Sequence, residues 1–248
     1  MNIQILEKKA NQFREIHGLG SHDSIRLRSL LFKLDVLTVF RPLSAGFSGM
    51  AIKTNHKEAV KRFILINSNK SLGHQHFTIC HELYHLYIQD GFESMVCTTA
   101  TFDKKERDEF NADIFASNLL LPEHGIKSLI PDKELGKDKL NLSTVLKIEQ
   151  YFACSRSALL YRLKNLGLIS GKIYDVYNQN VKRSAVELGY TTSIYESGNH
   201  NQVIGDYGSL ARELYDKETI SESHYFSLLA DLGINLQELE QIEDGEKQ

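Results

Sequence analysis

The stretch FTICHELYHLYIQD, residues 77–90, constrains this chain more than any other. It places His81, Glu82 and His85 in an H-E-x-x-H pattern, within a segment whose apolar residues recur at helical spacing. On a helix, residues four apart lie one turn above each other, so the two imidazoles face one point. Glu82 lies about 100° further round the helix, beside that point. The spacing therefore predicts a helix that offers two metal ligands and one carboxylate.

This set of side chains fits a zinc site that activates water. A catalytic zinc ion is held by three protein ligands and keeps one position for water. The ion lowers the pKa of that water toward about 7, and a nearby carboxylate can then accept its proton. In this arrangement His81 and His85 are ligands, and Glu82 is the general base. The alternative is a helix with two hydrogen-bonded histidines, and a third ligand on a neighbouring element would argue against it.

The segment KKERDEFNADIFASNLLLP, residues 104–122, offers candidates for the third ligand. Glu109 and Asp113 lie one turn apart on one face of the predicted helix, whose apolar positions can pack against the first helix. We expect Glu109 to bind the metal and Asp113 to form a hydrogen bond with the far nitrogen of a ligand histidine. Glu106 and Asp108 are rival carboxylates, which a solvated helix start also explains.

The two segments together resemble the ImmA/IrrE family of bacterial and phage zinc metallo-endopeptidases. In that family a helix with the pattern F-T-x-x-H-E-x-x-H precedes one with the pattern E-x-x-A-[ND]-x-F-A-x-x-L-L-x-P, and this chain has both in that order. The resemblance is strong over residues 60–125 and looser over 143–169, where the family carries a helix-turn-helix-like segment. The chain departs from the family at Tyr84 (commonly glycine), Gln89 (often histidine) and Leu121 (commonly methionine). We expect none of these three residues to touch a ligand.

The resemblance implies an α+β fold, with a minimal gluzincin-type metalloprotease core of a small mixed sheet and packed helices. It implies a zinc cofactor and, for some members, cleavage of a helix-turn-helix repressor. We divide the chain into a core at 1–125, a helix-turn-helix-like segment at 126–170 and a C-terminal extension of unknown role at 171–248. The resulting hypothesis is a zinc-dependent endopeptidase that acts on a protein substrate.

Three short runs before the predicted metal-binding helix are rich in β-branched or aromatic residues and predict strands at 37–43, 49–53 and 62–68. The last of them immediately precedes the helix, so we expect it to form the edge of the sheet over the cleft. An extended substrate could then pair with its backbone at Phe63, Ile64, Leu65, Ile66 and Asn67. Further along, KIYDVYN at 172–178 is a weaker strand prediction.

The alternative function is a non-catalytic, metal-binding transcription regulator that binds DNA through residues 143–166. This segment has helix-turn-helix spacing, and Arg156, Arg162 and Lys164 could contact phosphates. A structural helix pair packed on the core explains the same segment, because its apolar residues already demand burial. The net charge of −3 argues against strong attraction to nucleic acid, so we favour the enzyme and expect no DNA partner.

The composition sets the remaining expectations. Hydrophobic residues make up 42% and charged residues 25%, as in ordinary globular proteins. The chain has no run of about 18 apolar residues, and its N-terminus lacks the apolar stretch of a signal peptide. Cys80, Cys97 and Cys154 include no C-x-x-C pair, which indicates a reducing compartment. We therefore expect a cytoplasmic protein without a membrane partner, and the oxyanion-stabilising residue, natural substrate and oligomeric state stay open.

Overall fold

The computed structural model of the chain describes residues 2–56, 59–92, 94–97 and 107–234. Within these residues, the first half contains α1 (Ile3–Ile16), α2 (Leu27–Lys33), β1 (Val36–Arg41), β2 (Gly49–His56), β3 (Ala59–Asn67), α3 (Leu72–Tyr87), β4 (Ser94–Cys97) and α4 (Arg107–Leu120). The second half contains α5 (Glu123–Ser128), α6 (Leu142–Phe152), α7 (Arg156–Asn165), α8 (Gly171–Tyr177), α9 (Val181–Glu187), β5 (Val203–Ile204), α10 (Tyr207–Asp216) and α11 (Glu222–Asp231). Short 3-10 helices lie at Asp132–Glu134 and Ser193–Tyr195. None of the described helices is long and apolar enough to cross a membrane.

The five strands form one mixed sheet in the order β4-β2-β3-β1-β5. β3 runs parallel to β1 and antiparallel to β2, so it lies at the centre of the sheet. β4 is antiparallel to β2, and β5 is antiparallel to β1. The helices together with this sheet confirm the predicted α+β fold with a small mixed sheet.

The prediction that residues 63–67 form the edge of the sheet is wrong. Phe63, for example, pairs with Leu37 of β1 on one side and with Ile52 of β2 on the other. A strand with a neighbour on each side already bonds its backbone groups to them, so an extended substrate cannot add to it. The residues to which this correction applies are Phe63, Ile64, Leu65, Ile66 and Asn67. The outer strand next to β2 is β4 instead.

The helices α3 and α4 pack against each other, and α1 packs against α4. Nearly every residue of α3 from Phe77 to Leu86 is buried, so its polar side chains are enclosed by protein. The guanidinium of Arg14 in α1 is also buried, and it donates hydrogen bonds to the carbonyl oxygens of Leu119 and Gly20. These bonds connect the end of α4 to the loop after α1 and help to fix the position of α4.

Part of the C-terminal extension completes the core. The strand β5 extends the sheet beside β1, and the residues just before it bond to the first turn of α3. The amide of Leu72 donates to the carbonyl oxygen of Glu196 over 2.8 Å, and Nε2 of Gln75 donates to that of Gly198 over 3.1 Å. The segment 193–204 therefore supports the predicted metal-binding helix, although the sequence places it in the extension.

Residues 143–166 form the predicted helix pair, α6 and α7, but two of its basic side chains are buried. Arg156 is 2% exposed, and its Nε donates a hydrogen bond to Glu149 over 2.5 Å. Arg162 is 7% exposed, and its Nε donates to the carbonyl oxygen of Leu121 over 3.2 Å. Two of the three side chains proposed for phosphate contacts are thus engaged in packing contacts, which supports the structural interpretation of this pair.

The strand prediction for residues 172–178 is wrong, because this segment forms helix α8. The hydroxyl of Ser170 caps the helix by accepting a hydrogen bond from the amide of Ile173. Ile173, Tyr174 and Tyr177 lie at helical spacing and pack against the core. Tertiary packing and the cap therefore outweigh the strand propensity of the β-branched and aromatic residues in this segment.

Candidate metal centre

The helix α3 carries His81, Glu82 and His85 on a stretch that is fully buried. It begins after Ser71, whose extended backbone ends the preceding loop. Gly73 in its first turn permits close packing against the turn between α6 and α7, because a Cβ atom there would lie 2.6 Å from the backbone nitrogen of Ser155. The start of α3 is thus held between that turn and the 193–204 segment, and this fixes where its three polar side chains lie.

His81, His85 and Glu109 bring potential ligand atoms together between α3 and α4. The Nε2 atoms of the two histidines are 3.1 Å apart. Glu109 places Oε2 at 3.3 Å from Nε2 of His81 and Oε1 at 3.3 Å from Nε2 of His85. Donor atoms bound to one tetrahedral zinc ion at ~2.0–2.1 Å are separated by roughly 3.3 Å. The three buried side chains therefore have the spacing that a shared metal ion requires.

Each histidine also holds its other ring nitrogen in a hydrogen bond. Nδ1 of His81 lies 2.9 Å from Oδ1 of Asp113, the residue assigned to such a contact from the sequence. Nδ1 of His85 lies 2.5 Å from Oε1 of Gln89. The expectation that Gln89 touches no ligand residue is therefore wrong, since the end of α3 brings residue 89 next to residue 85. Both contacts leave the Nε2 atoms directed at the shared centre.

Carboxylates on α4 favour positive charge at this centre. Burial opposes the charged form of His81, but its hydrogen bonds with Asp113 and Glu109 outweigh burial and raise the pKa of His81 to about 10. Burial also opposes ionisation of Glu109, but its hydrogen bonds with His81 and His85 outweigh burial and hold its pKa well below the ordinary value. The surroundings thus favour a cation at the point where the three side chains meet.

Glu82 lies beside this centre and against the sheet. A Cβ atom on Gly49 would lie 2.8 Å from Oε1 of Glu82 and 2.5 Å from Cγ2 of Thr78. Gly49 is the first residue of β2 and pairs with Cys97 of the outer strand β4. The absence of a side chain at position 49 therefore leaves room for the Glu82 carboxylate. Sequence reasoning missed this residue, although glycine in a strand often marks a close approach of other groups to the backbone.

A serine–histidine contact ties the start of β2 to α3. Oγ of Ser48 lies 3.1 Å from Nε2 of His74. Burial, assisted by nearby Lys70, lowers the pKa of His74 to about 4, so this histidine is neutral at physiological pH. Because Ser48 directly precedes Gly49, the contact helps to keep the start of the strand next to Glu82.

Among the described residues, the other sequence candidates are not part of the ligand cluster. Glu106 lies outside the described residues. Asp108 is exposed, and it accepts a hydrogen bond from Nε2 of Gln89 over 3.3 Å. Tyr84 is buried, and its ring meets that of His85 edge-on with centroids 5.5 Å apart, so the expectation that Tyr84 touches no ligand residue is also wrong. Cys80 is a buried free thiol, and burial raises its pKa to about 12, so it is not a nucleophile at neutral pH.

Comparison with known proteins places this geometry in a family. Residues 33–164 match the model of a peptidase family described as the IrrE N-terminal-like domain. A curated relative, "Metallopeptidase ImmA" of Bacillus subtilis (strain 168), is 28% identical over 119 residues, which make up 48% of this chain and 66% of that relative. The family model covers more than half of the chain and includes every residue of the centre described above. The chain therefore belongs to the IrrE N-terminal-like family of metallopeptidases.

Proposed function

We propose that the chain is a zinc-dependent endopeptidase that hydrolyses peptide bonds in a protein substrate. The observation that carries this proposal is the convergence of His81, His85 and Glu109 with Glu82 beside them. Three protein ligands are typical of a catalytic zinc site, whereas structural sites are closed by four. Zinc held by these residues would supply a Lewis acid for the peptide carbonyl and for water.

Each side chain of the site has a separate role in the proposed hydrolysis. Glu82 is the general base that accepts a proton from the attacking water and delivers it to the leaving nitrogen. Packing of Glu82 between α3 and Gly49 restricts where its carboxylate lies. Asp113 and Gln89 orient the rings of His81 and His85 through their Nδ1 atoms.

The outer strand β4 is the part of the sheet to which an extended substrate can add by backbone hydrogen bonds. Cys97 at the end of β4 pairs with Gly49, and Gly49 lies against Glu82. A peptide that continues the sheet beyond β4 would lie two strand spacings, or roughly 10 Å, from β2, the strand whose Gly49 lies against Glu82. On the basis of the family resemblance, we propose a helix-turn-helix repressor as the protein that is cut.

Two substitutions test the proposal by separating metal binding from catalysis. Glu82→Gln keeps the size of the side chain but removes the proton acceptor, so zinc should stay bound while cleavage falls by about 10²–10⁴-fold. Glu109→Ala removes one of three ligands, so stoichiometric zinc should be lost. Asp132→Asn, an exposed carboxylate outside the centre, is the control and should keep both properties.

The measurements are elemental analysis of zinc and cleavage of two substrates. One substrate is a generic unfolded protein, and the other is a helix-turn-helix repressor from the same organism. Wild-type cleavage by Glu82→Gln would exclude the proposed mechanism. Unchanged zinc content in Glu109→Ala would remove that residue from the site. Cleavage of the unfolded protein but not of the repressor would support the peptidase activity and exclude the repressor as its substrate.

A further inference from the structure

The helices α10 and α11, residues 207–231, form a hairpin that we call the C-terminal hairpin. Each of its helices buries one residue, Ala211 in α10 and Leu229 in α11. Its large exposed apolar side chains include Leu210, Leu214 and Phe226, which are 45%, 41% and 36% exposed. Leu210 and Leu214 lie one turn apart and form an apolar stripe on α10. Two neighbouring exposed leucines form a small apolar patch that the apolar side of a partner can cover.

The hairpin has a fixed shape despite its small buried core. The rings of Tyr215 and Tyr225 stack across the two helices, with centroids 5.0 Å apart and planes at 13°. The guanidinium of Arg212 lies over both rings. Beyond α11, Gly233 packs closely on Asn201, in the loop before β5, so the hairpin abuts the edge of the sheet. The exposed stripe is thus presented on an ordered element.

Acidic residues outnumber basic residues in the sequence from the start of the hairpin onward. Residues 207–248 contain ten acidic and three basic side chains, a net charge of −7, whereas residues 1–206 contain 22 acidic and 26 basic side chains, a net charge of +4. Within the hairpin, Arg212 pairs with Asp216 and Lys217 pairs with Glu213. These two pairs do not neutralise the remaining acids of the hairpin, Glu218, Glu222 and Asp231. The hairpin itself, residues 207–231, contains five acidic and two basic side chains and carries a net charge of −3.

We propose that the C-terminal hairpin docks a basic, amphipathic segment of the protein substrate and thereby recruits that substrate for cleavage. The apolar stripe would receive the apolar side of the segment, and the surrounding acids would attract its basic side. Two copies of this chain paired hairpin to hairpin would bring like charges together, which disfavours that arrangement. The inference rests on the proposed peptidase function, because it assigns a role to the hairpin in selecting the substrate.

The width of the sheet determines the distance between the docked segment and the peptide bond that is cut. The hairpin follows β5 at one edge, and β4 lies at the other edge, four strand spacings away. At about 4.8 Å per spacing, the two edges are roughly 19 Å apart. A substrate strand added beyond β4 lies one spacing further, roughly 24 Å away, and an extended chain covers about 3.3 Å per residue, so about seven residues must separate the docked segment from the cut bond. Docking would therefore lower KM for a long substrate and leave kcat for short peptides unchanged.

The test uses two fluorescein-labelled amphipathic peptides of about 18 residues, with the same leucine stripe but with lysine or glutamate on the polar face. Binding is measured by anisotropy to the full chain carrying Glu82→Gln, so that the probe is not cut. We expect the lysine peptide to bind at least about tenfold more tightly than the glutamate peptide, and its affinity to fall with added salt. Comparable binding of the two peptides would overturn the proposal.

Variants locate the binding surface. Leu210→Ser combined with Leu214→Ser should weaken binding of the lysine peptide about tenfold, because both side chains are exposed and the fold does not depend on them. The matched control is Val176→Ser combined with Val186→Ser, two residues on α8 and α9 that are 54% and 62% exposed, and it should bind normally. Circular dichroism confirms that both double variants are folded.

Charge reversal and self-association complete the test. Glu218→Lys combined with Glu222→Lys should reduce the preference for the lysine peptide without altering any apolar contact. A dimer in sedimentation equilibrium that the leucine double variant abolishes would assign the stripe to a second copy and overturn the proposal. Binding of the peptides is measured without cleavage, so a failure to bind would not contradict the proposed peptidase function. That function is tested separately by zinc content and by cleavage.

Discussion

At the residue scale, Gly49 controls the space available to the carboxylate of Glu82, the proposed general base. Gly49→Ala would place a methyl group 2.8 Å from Oε1 of Glu82 and 2.5 Å from Cγ2 of Thr78, so the carboxylate or the strand must move. The three proposed ligands are not among the nearest neighbours of that methyl group, so zinc content should not change. We expect kcat to fall by about 10–10²-fold, because small displacements of a catalytic group are costly.

Gly46→Ala provides the control for this substitution. A Cβ atom at position 46 has nothing within 4 Å, so this variant should retain both zinc and activity. The measurements are elemental analysis and steady-state kinetics on a generic substrate. A wild-type kcat in Gly49→Ala would show that the position of Glu82 does not depend on the space at residue 49.

Helical spacing explains why much of the candidate site is predictable from sequence. His81 and His85 share a face because they are four residues apart, and the same holds for Glu109 and Asp113. Gln89 is also four residues beyond His85, but its contact depends on how the end of the helix is shaped, which spacing alone does not determine. A glycine in a strand signals a close approach of some group, but its partner Glu82 could not be predicted, because this contact depends on how β2 lies against α3 in the folded molecule.

At the element scale, a buried ion pair joins the helices that follow the metal centre. Arg156 at the start of α7 bonds to Glu149 of α6 and donates to the carbonyl oxygen of Tyr177 in α8 over 2.9 Å. Burial raises the pKa of Glu149 to about 7, although Arg156 opposes this shift. A proton on Glu149 therefore stabilises the fold, and this contribution is complete below the ordinary pKa of glutamate and is lost as pH rises through about 7.

Above pH 7, removal of either partner should be strongly destabilising. Arg156→Ala or Glu149→Ala leaves a buried charge without its partner and should lower the free energy of unfolding by about 3–5 kcal/mol. The double variant should lose less than the sum of the two single losses. Urea unfolding measures all three values. Arg183→Ala, which breaks an exposed pair with Glu187, is the control and should have little effect; additive losses for the buried pair would contradict the prediction.

The two errors at this scale have different physical causes. The composition of β3 correctly indicates a strand, but its place in the sheet depends on β1, which is distant in sequence and pairs with it in parallel. The segment 172–178 has a strand-like composition, yet capping by Ser170 and packing against the helix pair select a helix. Local patterns thus predict elements well, whereas their neighbours depend on contacts between distant parts of the chain.

At the scale of the whole molecule, two truncations distinguish the parts of the C-terminal extension. A chain ending at Gly205 loses the hairpin, which buries Ala211 and Leu229, and should keep its zinc and a cooperative thermal transition. A chain ending at Tyr190 also loses β5 and the hydrogen bonds to the first turn of α3. We expect this shorter chain to lose both zinc and cooperativity. Circular dichroism and elemental analysis measure the two properties.

The contrast between these truncations tests where the core ends. A stable, zinc-containing chain that ends at Tyr190 would show that the segment 193–204 is not required by the core. Loss of cooperativity in the longer chain ending at Gly205 would instead show that the hairpin stabilises more of the molecule than its buried residues indicate.

The contacts of segment 193–204 with α3 have a consequence for biosynthesis. More than a hundred residues of chain separate the end of α3 at Tyr87 from Glu196, which bonds to its first turn. A ribosome adds about 5–20 residues per second, so the first turn of α3 waits several seconds for these partners. The first turn of α3 would then be held in place only after the segment 193–204 has been synthesised. A chain interrupted before this segment would thus lack the contacts that position the helix carrying His81 and His85.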